Sequence, residues 1–107
     1  MAGLTRGSIC SVRLGRSSGR EQSDRRYAII VQSDDLCLLN TVVVVPTSTS
    51  ARAATFRPEA LIAGQRTRVL CEQIRTIDVQ RLGETVGILS SAELLSVEDA
   101  LQIVLEL

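Results

Sequence analysis

The sequence predicts an α+β fold: a small barrel of about five to seven short, mostly antiparallel strands, finished by a C-terminal helix. Three features lead there: β-branched runs bounded by turn-forming residues, an alternating segment near the start, and one amphipathic stretch with a capping signature at the end. In order, Ile9-Cys10-Ser11-Val12-Arg13-Leu14 alternates apolar with polar, as a half-buried strand does, and Gly15 to Arg25 follows as a polar loop. Tyr27 to Val31 and Thr41 to Val45 read as strands buried on both faces. Pro46 is expected to end the second of these, because it has no N–H to give to a ladder.

A weaker strand is predicted within Ala51 to Pro58, another over Arg68 to Cys71, and the last over Thr85 to Leu89. Ile77 to Leu82 suggests one or two helical turns. The helix, Ala92 to Leu105, opens on a capping box made by Ser90 and Glu93, and Leu94, Val97, Leu101, Val104 and Leu105 share one face. That stripe is core packing, and no repeat, linker or low-complexity segment interrupts the order.

At 107 residues, a single domain spanning 1–107 is expected. The apolar fraction is 45%, yet Tyr27 and Phe56 are the only aromatics, so the core is aliphatic and base stacking has little to work with. No apolar run approaches the roughly 20 residues of a membrane span, and Met1 to Arg6 lacks a signal-peptide core, which makes the cytoplasm the expected location. Cys10, Cys37 and Cys71 have no metal-site spacing and no His to join, so they read as small buried apolar residues.

The net charge of zero hides a segregation: residues 1–81 hold all 12 Arg against seven acids, while residues 82–107 hold five acids and no base. The first part can attract phosphate. Two dense charged segments stand beside strands, Gly19-Arg20-Glu21-Gln22-Ser23-Asp24-Arg25-Arg26 and Glu72-Gln73-Ile74-Arg75-Thr76-Ile77-Asp78, and Pro46-Thr47-Ser48-Thr49 follows a third strand.

With no His and no carboxylate cluster of two-metal spacing, hydrolytic chemistry must come from Arg, Asp or Glu, and hydroxyls. RNA permits this, because its own 2′-OH can attack the neighbouring phosphate once a cation and hydroxyl donors hold the phosphoryl oxygens and a proton acceptor is at hand. Arg26, at the start of the second strand, and Ser48 or Thr49, past the third, supply the first two. A guanidinium with a pKa above about 12 is a poor base, so Arg26 is assigned to charge stabilisation. Glu21 or a positioned water is left as the acceptor.

Arg16, Arg20 and Arg25 lie in the long loop, where they read as solubilising charge or as a basic lid that follows an RNA backbone. Gln73 can read a base edge with its amide, Tyr27 offers the one stacking surface near the site, and Asp78 reads as a cap for the next turn. Glu72 can pair with Arg68 or Arg75, or it can bind substrate or order the site.

These segments resemble the MazF/PemK toxins of bacterial toxin–antitoxin systems, small ribonucleases with an SH3-like barrel. The resemblance runs from Arg6-Gly7 to the last helix and is most specific over Cys71-Glu72-Gln73-Ile74-Arg75-Thr76-Ile77-Asp78. The family motif Gly-x-Glu-Gln-x-x-x-Arg falls on Gly19, Glu21, Gln22 and Arg26, and the family's catalytic Thr, counted from Pro46, falls on Ser48 with Thr49 adjacent. The resemblance implies Arg26, Ser48, Thr49 and Glu21 as catalytic residues. It implies Arg16, Arg20, Gln22, Arg25, Tyr27, Thr47, Glu72 and Gln73 as substrate contacts.

Tyr27 stands where the family usually has Pro, and Cys10 where an aromatic is common. Leu70, Glu72 and Arg20 occupy the positions that carry Arg, Asp and His in the PemK branch, so the chain is nearer the MazF branch. The implied activity is sequence-selective cleavage of single-stranded mRNA to 2′,3′-cyclic phosphate and 5′-hydroxyl ends, with no cofactor or metal. The implied partners are an antitoxin bound through an acidic extended segment, a second copy in a homodimer, and DNA only through the antitoxin. Two other readings stand beside it: a gyrase poison of the CcdB type, whose Trp-containing tail this chain lacks, and a catalytically silent binding module.

Overall fold

A computed structural model describes residues 5–13, 26–36 and 39–107. Among these described residues there are seven strands, β1 (Ser8–Val12), β2 (Arg26–Ile30), β3 (Thr41–Ser48), β4 (Glu59–Ile62), β5 (Gln65–Val69), β6 (Arg75–Asp78) and β7 (Leu82–Ile88), followed by helix α1 (Ser91–Leu105). Every pairing is antiparallel, in the order β4-β5-β3-β2-β1-β7, with β6 also on β3. The expected small barrel with one C-terminal helix is thus present, as a curled antiparallel sheet.

Alternation along the central strands divides the core. Ile29, Val31 and Val45 join the cluster that the helix covers with Val97, Ala100 and Leu101, whereas Ala28, Ile30, Val42 and Val44 pack on the other face with Cys10, Val12 and Ile77. β2 and β3 are therefore buried on both faces, which is why they are continuous apolar runs.

Pro46 does not end β3, which runs on to Ser48. The Pro46 carbonyl accepts from the Leu70 amide (2.9 Å). The missing N–H points to the same side, where the chain leaves β5 and turns through a 3₁₀ segment, Cys71–Gln73, before starting β6. Along that edge β3 changes partner, from β6 over Thr41 to Val44 to β5 at Thr47 and Ser48.

Ala51 to Pro58 holds no strand. The strand begins at Glu59, and β4 returns as β5 through Ala63 and Gly64, both left-handed (φ 51° and 80°), a two-residue hairpin turn. β5 covers Gln65–Val69, and Cys71 belongs to the 3₁₀ turn that follows. Ile77 and Asp78 lie in β6, and the expected helical turn is the 3₁₀ segment Val79–Arg81, capped by Asp78 Oδ1 accepting from the Gln80 amide (2.8 Å). The capping box at α1 is complete: Ser90 Oγ accepts from the Glu93 amide and Glu93 Oε1 from the Ser90 amide. Glu93 Oε2 also accepts from the Leu61 amide (3.0 Å), which ties the helix start to β4. Of the predicted helix stripe, Val97 and Leu101 are buried and Leu94 and Val104 pack at the margin, while Leu105 is exposed.

Candidate active site

The β2–β3 ladder ends at Ala28 opposite Pro46. Beyond that pair, Arg26 is the first residue of β2 and Ser48 the last of β3. Thr47 Oγ1 donates to the Tyr27 carbonyl (2.8 Å) just beyond the last ladder pair, so the strands stay joined up to the point where β3 turns to β5. A groove of about 520 Å³ opens there, with Arg26, Tyr27, Thr47, Ser48, Thr49 and Ser50 on the β2–β3 side and Ile62, Ala63, Gln65 and Thr67 on the β4–β5 hairpin.

Within the groove the side chains divide by task. Arg26 is exposed at the start of β2, which leaves its guanidinium available to an anion. Ser48 is half-buried and its Oγ accepts from the Ser50 amide (3.1 Å), which fixes the hydroxyl and leaves its O–H to donate. Ser50 Oγ lies 3.5 Å away. Thr49 is exposed at the rim. Thr47 is only 4% exposed and its hydroxyl is occupied by the Tyr27 carbonyl, so it holds the strands where a substrate contact was expected. Tyr27 lines the groove with its ring half-buried against the main core.

The second charged segment sits apart from the groove lining. Glu72 pairs with neither Arg68 nor Arg75: Arg57 Nε and Nη2 both donate to Glu72 Oε2 (3.0 and 2.6 Å). Those hydrogen bonds hold the Glu72 carboxyl below the usual carboxylate range, against the opposing effect of burial. Arg68 instead pairs with Glu59 (3.5 Å). Gln73 is exposed at the end of its 3₁₀ turn and does not line the groove, whereas Gln65 does. No sequence signal marked Gln65, since a polar residue at a strand start is commonplace.

Burial pushes the Cys71 thiol up to about 11, with the Glu72 carboxylate adding to the effect, and burial also raises Cys10. Both are inert packing groups, as the sequence indicated. Arg16, Arg20, Glu21, Gln22, Arg25 and Cys37 lie outside the described residues.

The fold and site together define a small barrel, a curled antiparallel sheet with one terminal helix, with Arg26 and Ser48 on one groove beyond the β2–β3 ladder. Residues 5–105 match the model of the PemK-like, MazF-like toxins of type II toxin–antitoxin systems. The chain is 40% identical over 99 residues to a candidate toxin of Mycobacterium tuberculosis, covering 91% of this chain and 92% of the relative. It is 30% identical to endoribonuclease MazF9 of the same organism (97% and 98% covered) and 30% identical to endoribonuclease MazF of Staphylococcus epidermidis (97% and 92%).

Among solved structures, a mycobacterial endoribonuclease in complex with its cognate antitoxin superposes with a TM-score of 0.81 at 21% identity, covering 96% of this chain and 95% of that one. MazF of Deinococcus radiodurans gives 0.79 at 20% identity, with 96% of each chain covered. The chain belongs to the PemK-like, MazF-like toxin family.

Proposed function

We propose that this protein is the toxin of a toxin–antitoxin pair and acts as a sequence-selective endoribonuclease on single-stranded mRNA. Family membership and the named endoribonuclease relatives support that reading over a gyrase poison. The observation that carries it is that Arg26, Ser48 and Thr49 line one groove just beyond the end of the β2–β3 ladder.

A phosphodiester seated in that groove meets the Arg26 guanidinium at its phosphoryl oxygens, where its planar fork matches two of them and opposes the charge that builds up on attack. The Ser48 hydroxyl, oriented by the Ser50 amide, donates to the same oxygens. The 2′-OH loses its proton to Glu21 or to a positioned water and attacks phosphorus. The 5′-oxygen leaves, giving a 2′,3′-cyclic phosphate and a 5′-hydroxyl. Thr49 stands beside Ser48 as a secondary donor, Tyr27 offers a ring to a base, and Gln65 offers an amide to a base edge. Arg16, Arg20, Gln22 and Arg25 complete the reading as contacts to the RNA.

An antitoxin with an acidic extended segment would compete for the same Arg-bearing groove. A homodimer belongs to the same reading, and the outermost strand β7, which leaves Val86 42% and Ile88 64% exposed, supports it. Among the described residues no helix is long and apolar enough to cross a membrane.

The test is incubation of purified protein with long single-stranded RNA in EDTA, followed by end-group analysis. Discrete cuts ending in cyclic phosphate are expected. Absence of cleavage by folded protein across RNAs of broad sequence content would refute the reading.

A further inference from the structure

Neither Arg57 nor Glu72 lines the groove, yet Arg57, which pairs with Glu72, lies on a segment that leads out of it. Arg57 Nη1 donates to the Arg52 carbonyl (3.1 Å) and the Arg57 amide to the Ala54 carbonyl (3.0 Å), so one residue closes the 52–57 segment on itself. Its remaining donors reach Glu72 Oε2, and its own carbonyl accepts from Arg68 Nη1 (2.9 Å).

Glu72 is held in a 3₁₀ turn whose first residue, Cys71, is fully buried in the main core, and that turn packs on α1. The anchor is therefore rigid. The tethered segment begins immediately after Ser50 and leads into β4, whose hairpin tip supplies Ala63 to the opposite wall. Both sides of the groove thus connect through the residue that Glu72 holds.

We propose that Glu72 is a positioning residue which acts through Arg57: it clamps the 51–58 segment, sets the groove width, and so determines which RNA sequences are cut. The proposal rests on the ribonuclease reading for its last step and on geometry alone for the clamp. A positioning residue makes no contact with substrate, so its removal weakens the binding of well-fitting RNA and leaves the chemical step intact.

The experiment compares wild type, Glu72→Gln, Arg57→Ala and the double variant by amide hydrogen exchange of residues 51–58 and by cleavage kinetics. Each single variant is expected to speed exchange of that segment at least about tenfold, to raise KM about tenfold with kcat within about twofold, and to broaden the set of cleaved sites. The double variant is expected to match the singles, and the reversed pair Arg57→Glu with Glu72→Arg to recover part of the loss. Unchanged exchange in Glu72→Gln overturns the clamp. Additive KM losses in the double variant, or a fall in kcat at constant KM, show Glu72 acting on the RNA directly and overturn the positioning role. Wild-type protein that cuts no RNA overturns the ribonuclease reading and the specificity role together, and exchange alone then decides the clamp.

Discussion

Arg26 is an exposed cation at a strand start, and it shares its groove with the hydroxyls of Ser48 and Thr49. Arg26→Ala is expected to lower kcat by about 10²–10³-fold, the scale of losing one preorganised donor to a developing oxyanion. Arg26→Lys recovers little, because an ammonium keeps the charge and loses the two-pronged geometry. Ser48→Ala is expected to cost more than Thr49→Ala, since the Ser50 amide orients only Ser48. Single-turnover rates on one RNA rank these variants.

That Arg26 and Ser48 line one groove was foreshadowed by the family resemblance, whose charged motif ends on Arg26 and whose hydroxyl, counted from Pro46, falls on Ser48. Gln65 and the Arg57–Glu72 contact were not legible. Both depend on where a hairpin and a loop return in space, and an ion pair between residues 15 apart has no periodic signature. The Glu72 carboxyl sits below its ordinary value, so its pairing supports the fold above pH about 4.5 and is lost as the pH falls through the depressed value. Thermal unfolding followed from pH 6 to pH 3 should therefore decline more steeply for wild type than for Glu72→Gln.

At the scale of elements, the turn between β4 and β5 places Ala63 at φ 51°, a conformation that disfavours a Cβ and suits Asn or Gly. Ala63→Asn is expected to stabilise the protein by roughly 1 kcal/mol, read from denaturant midpoints. Ser90→Ala removes the hydroxyl of the capping box and should cost about 1 kcal/mol by the same measurement.

The helix and its cap were readable because both signals are local: a hydroxyl three residues before a carboxylate, then a stripe. The hairpin escaped notice because Ala-Gly lacks the usual Asn-Gly or Asp-Gly signature, and the apparent strand over Ala51 to Pro58 had no partner to confirm it. Pro46 misled for a related reason. A missing N–H ends a strand only where the ladder needs a donor, and here β3 changes neighbours.

Across the whole molecule, α1 covers one face of β2 and β3, the curl of the sheet covers the other, and the groove opens just beyond their ladder. Ile29, fully buried beneath the helix, is the centre of that arrangement. Ile29→Ala should cost about 2–5 kcal/mol in unfolding free energy, as for deletion of large aliphatic groups from other cores. All 12 arginines lie in the first 81 residues, and among the described ones Arg26 lines the groove. RNA affinity should fall steeply with added salt, a dependence that filter binding across a salt series would report.

Arg26 and Ser48 are proposed to form one centre just beyond the β2–β3 ladder. The direct measurement is a double-mutant cycle on RNA cleavage with Arg26→Ala, Ser48→Ala and the combined variant, each checked for folding by circular dichroism. If the two residues stabilise the same phosphoryl oxygens, the combined variant is hardly slower than Arg26→Ala alone. Rate losses that multiply independently, or full activity in folded Arg26→Ala, would contradict it.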